Sequence, residues 1–371
     1  MHSTRRSSSA ASATAAEAAR RTGVKIEAQA IRECVTRMTA RACDWLRHKE
    51  LHWGDPILCD GMVRVAREFG SNAPMWEAVA WFAPRLASGP NTSGWIWVWA
   101  AEALPAIDLY LLLDERRYLD YARAVIDRIE HAAAHTSDGA VVPDPPALEV
   151  WVDMAYFTAP AMARLGRITD DAALVERALD QLLVHQRHLQ DAASGLFWHV
   201  AYVDKGTHSA HPWARGNSWF SIATTEVLGE VRAAGLESRF RNKTAPLGQA
   251  LVRQLDAVMR LQDAGGLWHT VIDRDDSYLE SSAAAGFALA LGRAPRLGLE
   301  RLDVTRARQA WERALGAVCA KVDAGGDFTG VSQQTPPGDF AHYQSIEIGA
   351  APFGTGVCLM ALSEAFAALR A

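Results

Sequence analysis

Cysteine is scarce in this chain and shows no pairing pattern. Cys34, Cys43, Cys59, Cys319 and Cys358 lie scattered through 371 residues, odd in number and without a CxxC pair. That argues against a disulfide framework and a structural zinc site, and favours a reducing compartment. A basic excess is missing too: 38 Lys+Arg against 43 Asp+Glu leave a net charge of −5, which offers nothing to a nucleic-acid backbone. An anionic ligand must then be met by local cations. The opening "MHSTRRSSSAASATAAEAARR" has no apolar h-region. Residues 1–24 therefore read as a disordered Ser/Ala-rich tail, with an organellar transit peptide as second reading. No apolar run approaches the length of a bilayer span. The expectation is a cytoplasmic protein with no nucleic-acid and no membrane partner. P-loop, dinucleotide fingerprint and HExxH are all absent, so no cofactor and no metal are expected. "HAAAH" places His131 and His135 one helical turn apart, but without a helical glutamate or third ligand it reads as a solvated helix end. His208 and His211 of "HSAH" read as loop histidines, with His211 nearer the cleft.

Strand-like alternation is scarce as well, whereas apolar residues recur at helical spacing almost throughout. The pattern predicts twelve helices, near 25–48, 57–69, 74–87, 97–114, 116–134, 149–165, 169–190, 217–233, 246–262, 278–292, 304–322 and 353–369. In the helix 116–134, Tyr118, Tyr121, Ala122, Val125, Ile126 and Ile129 form one stripe, with Asp120, Arg123, Asp127 and Arg128 opposite. Short connections alternate with long ones rich in Gly, Pro and Trp. Two long loops repeat: Gly195-Leu-Phe-Trp-His199 and Gly266-Leu-Trp-His269, whose Trp-His pairs stand seventy residues apart, point to a recurring helical hairpin. The fold class expected is all-α, an (α/α)6 toroid of six helical hairpins formed by a single domain over 25–371. Function should reside in the long loops gathered at one end.

One of these loops ends in "HPWARGNSWF" (211–220), with Trp213, Arg215 and Trp219 clustered at a helix start. Gly216 permits a turn, Asn217 or Ser218 is read as the N-cap, and the first free N–H groups beside Arg215 suit an anion. Core packing of the tryptophans and a structural ion pair for Arg215 is the competing reading. A second element, "EVWVDMAYFTAPAMARLG" (149–166), sets Trp151 and Asp153 at another helix start. The apolar neighbours of Asp153 raise its pKa and the helix N-terminus lowers it; only if desolvation wins does it serve as a general acid near neutral pH. "RDDSYLESS" supplies Asp275, Asp276 and Glu280, read as a loop and helix cap around Ser277.

The ordered set "WVDMAYFTAPAMARLG", "GLFWH", "WARGNSW", "GLWHTVIDRDDSYLESSAAAGFALAL" and "PFGTGVCLMALSEAF" resembles the unsaturated uronyl hydrolases of glycoside hydrolase families 88 and 105, the unsaturated rhamnogalacturonyl hydrolases most of all. The resemblance runs from about residue 95 to the C-terminus. It implies an (α/α)6 barrel acting on oligosaccharides left by polysaccharide lyases. It also implies that Asp153 is the catalytic acid/base, and that His199, Trp213, Arg215 and Trp219 bind substrate. Two positions depart from the family pattern. Ser218 stands where glycine is usual, and Trp99 stands at the place of a second aspartate, with Glu102 one helical turn on as the nearest acid and possible substitute.

The implied chemistry suits these residue types. A 4,5-unsaturated uronic acid is an enol ether; protonation at C4 and water addition at C5 give a hemiketal that opens and releases the attached sugar. One acid/base group suffices, unlike the two carboxylates of ordinary glycoside hydrolysis. Arg215 is expected to grip the substrate carboxylate. Trp151, Trp213 and Trp219 would offer flat faces to sugar C–H groups, and His199 would orient water or Asp153. The expected partner is an unsaturated uronyl oligosaccharide; the pattern assigns no oligomeric state. Two alternatives stay open: a non-catalytic carbohydrate-binding relative, and an epimerase-type (α/α)6 enzyme, for which only His199 and His269 are well placed.

Overall fold

A computed structural model describes residues 27–47, 53–90 and 96–370. The tail expected over 1–24 lies outside the described residues. Six helices form an inner ring: α2 (Asp55–Phe69), α5 (Ala103–Leu113), α7 (Met154–Ile168), α9 (Ala214–Ala233), α11 (Ser281–Arg293) and α14 (Pro352–Arg370). Each packs on the next, and α14 returns to α2. Six more lie outside: α1 (Ala28–Arg47), α3 (Asn72–Ser88), α6 (Arg116–His131), α8 (Ala172–Leu189), α10 (Arg241–Arg260) and α12 (Val304–Ala320). Two short helices, α4 (Ile96–Ala100) and α13 (Phe340–Ser345), sit in the long loops. This is the (α/α)6 toroid.

Composition sorts the two rings. Outer α6 buries one stripe, Tyr118, Leu119, Tyr121, Ala122, Val125, Ile126 and Ile129, and leaves the rest to solvent. Inner α9 is buried without interruption from Ala214 to Leu228. Inner α14 is long and apolar enough to cross a bilayer, contrary to the sequence reading, but most of it is buried inside the ring. The ring closes where Gly61 of α2 and Gly356 of α14 meet backbone to backbone, leaving no room for a Cβ on either. Connections after inner helices α2, α5 and α7 are two or three residues long, while those entering the inner helices are long. All six inner N-termini therefore share one mouth.

Small strands brace the long loops, the first pair being β1 (Ala134–His135) and β2 (Val141–Val142), and later ones account for the late starts of α7 and α11. β3 (Glu149–Trp151), β4 (Val200–Tyr202) and β5 (Thr207–His208) form one antiparallel sheet, in which Trp151 faces Val200. The chain over 149–151 is thus a strand, and α7 begins only at Met154. β6 (Trp268–His269) pairs with β7 (Leu279–Glu280) in the same way, so α11 begins at Ser281. Its cap is Glu280, whose carboxylate accepts from the N–H groups of Ser282 and Ala283; Ser277 instead donates to the Arg274 carbonyl. The helix expected over 97–114 is broken between Ala100 and Ala103.

The repeated loops share an anchor. Gly195 and Gly266 have φ of 79° and 94°, and each backs onto a carbonyl of the next outer helix, Arg253 in α10 and Arg313 in α12. A Cβ would collide there, and the left-handed backbone favours glycine. Gln190 and Gln262 complete the anchor: each amide donates to the glycine carbonyl and to a carbonyl of that outer helix, Ala250 or Ala310.

Candidate active site

At the mouth, the β3–β4 register lays Asp153 beside His199, and Val152 N–H donates to the His199 carbonyl at 3.0 Å. The Asn217 side chain locks the same loop to α9. It accepts from Phe197 N–H and donates to the Phe197 carbonyl, both at 2.8 Å, and to the Trp213 carbonyl at 2.9 Å. Asn217 is therefore not a cap. α9 begins at Ala214, with Trp213 in the capping position.

A cavity between these elements is lined by Trp53, Trp97, Trp151, Asp153, Met154, Phe157, His199, Trp213, Arg215, Gln334, Thr335 and Pro336. Five of the sequence-selected residues meet there: Asp153, Trp151, His199, Trp213 and Arg215. His199 stacks on Trp213 at 4.3 Å between ring centres and meets Trp151 edge-on at 5.5 Å. Trp97 and Trp151 form a tilted pair at 5.7 Å. Four indoles thus surround one carboxyl group.

Asp153 opens α7, yet its side chain makes no capping bond. Its Oδ2 is buried and has no hydrogen-bond partner among the described residues. Burial pushes its pKa up to about 6, against the opposing pull of the Arg215 charge and a backbone N–H. Of the two terms weighed from the sequence, desolvation is the larger. His199 is buried, and desolvation, helped by Arg215 and His342, pushes its pKa down to about 3. His199 Nε2 lies 3.9 Å from Asp153 Oδ2. With those pKa values the two are hardly ever charged together, so they do not form an ion pair.

Arg215 lines the cavity, but its fork is occupied. Its two terminal nitrogens donate to the Ser332 carbonyl (2.7 Å), Ser332 Oγ (2.6 Å), the Gln333 carbonyl (2.8 Å) and Thr335 Oγ1 (3.0 Å). Glu280 lies 3.6 Å away, and the guanidinium sits between the Trp213 and Phe353 rings. The expected two-point grip on a substrate carboxylate is corrected accordingly: the planar fork holds the segment that roofs the cavity, and its charge acts on the cavity through space.

Two further expectations are corrected. Trp219 is 1% exposed and stacks on Tyr156 at 4.7 Å. Because α9 starts earlier than expected, Trp219 falls in its second turn and faces α7 rather than the cleft. Glu102 lies in the break between α4 and α5 and turns outward, accepting from Arg85 Nε at 3.1 Å and from the Tyr121 hydroxyl. It is no second acid. Trp99, which the resemblance sets at the place of a second aspartate, is buried beneath the Arg128 guanidinium and does not line the cavity. Ser218 likewise packs against Gly286 of α11. Trp53, Trp97, Gln334, Thr335 and Pro336 were not selected from the sequence. Neither was Tyr343 of α13, whose hydroxyl lies 2.8 Å from His199 Nδ1.

A ring of inner helices whose N-terminal loops enclose, among the described residues, one protonatable carboxyl, a neutral histidine and four indoles defines a glycosidase-type cleft. The family follows from the whole chain: the profile of Glycosyl Hydrolase Family 88 matches residues 26–369, and the chain belongs to that family. The unsaturated rhamnogalacturonyl hydrolase YesR of Bacillus subtilis (strain 168) is 31% identical over 181 residues, which are 47% of this chain and 51% of that protein. The aligned stretch thus spans about half the length of that relative. Among solved structures, a possible member of the GH105 family from Salmonella enterica serovar Paratyphi A superposes with a TM-score of 0.81 at 24% identity, covering 92% of this chain and 95% of that one. The unsaturated glucuronyl hydrolase of Bacillus sp. GL1 superposes with a TM-score of 0.69 at 17% identity, over 91% and 96% of the two chains. These structural likenesses bear on the fold.

Proposed function

We propose that this protein releases 4,5-unsaturated uronic acid from the ends of lyase-generated oligosaccharides, of rhamnogalacturonan type or related. The observation that carries the reading is a lone carboxyl, Asp153, held protonated to about pH 6 with no second carboxylate among the described lining residues. Direct hydrolysis of a glycosidic bond uses two carboxylates on opposite sides of the scissile bond. Hydration of an enol ether needs one group that gives a proton and then takes one back. Asp153 protonates C4, the cation develops at C5, and water adds there while its proton returns to Asp153. The resulting hemiketal at C5 opens to a ketone by breaking C5–O5, which leaves O5 as the hydroxyl of a C1 hemiacetal. That hemiacetal collapses to an aldehyde and frees the protonated aglycone. The part-exposed indole of Trp151 supplies a flat wall for the sugar, Trp213 being covered by His199 on one face and Arg215 on the other, and the buried charge of Arg215 favours the anionic ring. The names of the relatives support the substrate class.

The test is a panel of unsaturated disaccharides from different lyases, followed by absorbance of the conjugated enol ether and by sugar release. The expected result is loss of absorbance in step with release of the aglycone. Release with the absorbance retained would point to direct hydrolysis. Binding without turnover across the panel would favour a non-catalytic carbohydrate-binding protein. The epimerase reading loses its second histidine: His269 Nδ1 contacts the Ser277 carbonyl, and His269 does not line the cavity.

A further inference from the structure

His199 presents one ring nitrogen to the protein and the other to the cleft. Nδ1 lies 2.8 Å from the hydroxyl of Tyr343, a fully buried residue of α13 that packs with Trp213 and Val271. Nε2 is buried, has no hydrogen-bond partner among the described residues and faces Asp153 Oδ2, which has none either. We propose that Tyr343 is a positioning residue that fixes His199 as its Nε2–H tautomer, so that the imidazole donates a hydrogen bond into the cleft beside Asp153. This deepens the proposed reaction and rests on it for its kinetic consequences; the tautomer itself does not.

The assignment follows from counting donors and acceptors. The ring is neutral, because burial holds its pKa to about 3, so one nitrogen carries a hydrogen and the other a lone pair. Burial keeps the Tyr343 phenol protonated. Its buried proton needs an acceptor, and His199 Nδ1 is in place for it. The opposite tautomer would set Nδ1–H against the phenol oxygen and leave a buried O–H unpaired, at a cost of roughly 1–3 kcal/mol. It would also aim the Nε2 lone pair at a carboxylate.

The 3.9 Å between Nε2 and Oδ2 is too long for a direct hydrogen bond. It is short enough for one water oxygen about 2.8 Å from each atom to bridge them. Such a water accepts from Nε2–H, donates to the Asp153 carboxylate left after C4 protonation, and keeps a lone pair for C5. The new bond joins the water oxygen to C5, and the water proton passes to Asp153, restoring the acid.

The experiment is nitrogen NMR on full-length protein labelled with 15N-histidine, with His199 identified by the signals lost in His199→Gln. The expected wild-type spectrum shows Nε2 protonated and Nδ1 bare and hydrogen-bonded, and Tyr343→Phe converts this to a mixture. In kinetics, Tyr343→Phe should lower kcat by up to about a hundredfold, the usual effect of a misplaced group, with KM little changed. His199→Gln, whose amide reaches the Nε2 position, should keep more turnover than His199→Asn, whose amide reaches Nδ1. A wild-type spectrum with Nδ1 protonated, or one unchanged by Tyr343→Phe, would overturn the proposal. Because the spectra need no substrate, they decide the tautomer even if no unsaturated uronide is turned over. Should Tyr343→Phe not fold, the wild-type spectrum and the Gln/Asn pair decide it.

Discussion

Two buried carboxylates at opposite ends of the toroid, Asp153 and Glu226, are shifted in opposite directions. At the mouth, Asp153 meets one cation, Arg215, whose fork is directed elsewhere, and burial carries its pKa up to about 6. At the floor, near the C-terminal halves of the inner helices, burial pushes on Glu226 in the same direction. There Arg293, Arg64 and Arg164 together outweigh it and hold the group well below the ordinary glutamate range. Every inner helix contributes to that floor. Asp60 and Arg64 come from α2, Asp108 from α5, Arg164 from α7, Glu226 and Glu230 from α9, Arg293 from α11 and Glu364 from α14, joined by ion pairs such as Arg164–Asp108 at 2.6 Å and Arg293–Glu226 at 2.8 Å. Burial alone therefore does not set a carboxylate's chemistry; the number of cations aimed at it does. The floor uses its charges on one another, while at the mouth Asp153 Oδ2 has no hydrogen-bond partner among the described residues.

The largest effect is expected where that comparison is sharpest. Asp153→Asn should lower turnover by roughly a hundred- to ten-thousandfold, since the amide keeps the shape but transfers no proton. The same change should not destabilise the fold. The folded-state pKa of Asp153 is raised from 3.8 to about 6. Its protonation thus supports the fold below the unfolded value, and that support is lost as pH rises through about 6. Above that pH the asparagine variant should match or exceed the wild type, by about 1–3 kcal/mol. Thermal melts of both proteins at pH 4.5 and pH 8 check the sign, and a variant less stable only at pH 8 would contradict it.

The floor should respond the other way. Arg164→Met removes the cation shared by Asp108, Glu226 and Glu230 and leaves buried acids undercompensated. Breaking a buried network from one side typically costs about 3–5 kcal/mol. A lower melting temperature is expected, with kcat within about twofold of wild type at temperatures where the variant is folded. Lost turnover without lost stability would mean that the two ends are coupled.

What could be read from the sequence divides along similar lines. Helix number and order follow from the 3.6-residue period, because each outer helix must show one apolar stripe and each inner helix must be apolar nearly all round. The alternation of short and long loops then gives the mouth, and Asp153, Trp151, His199 and Trp213 fall out of its motifs. Helix starts were misplaced where two- and three-residue strands intervene, since runs so short carry no periodicity. The start of α9 differs the other way, at Ala214 rather than 217, and with it Trp219 falls in the second turn, against Tyr156 and not in the cleft wall. Arg215 was correctly placed and wrongly employed, because its partners Ser332, Gln333 and Thr335 lie over a hundred residues away. Tyr343 sits in a six-residue helix, with no local pattern to mark it.

The smallest effect on the chemistry belongs to Glu102, the acid nearest in sequence to the place of the family's second aspartate. Its carboxylate is buried between α3 and α6, paired with Arg85 and Tyr121. Burial raises its pKa, as it does for Asp153, but unlike Asp153 Oδ2 the group keeps hydrogen-bond partners, and the Tyr121 hydroxyl and Arg85 oppose the rise. Glu102→Gln keeps the volume and can still accept from Tyr121, but it leaves Arg85, itself 17% exposed, without its charge partner. The expected outcome is a lower melting temperature, a kcat within about twofold of wild type, and a pH–rate profile that does not move. The Asp153 pKa has no contribution from Glu102 among its causes, so the fall in rate above about pH 6 should be the same in both proteins. A displaced profile in Glu102→Gln would make the pair of acids functional after all, and would mean that the mouth is not a one-carboxylate site.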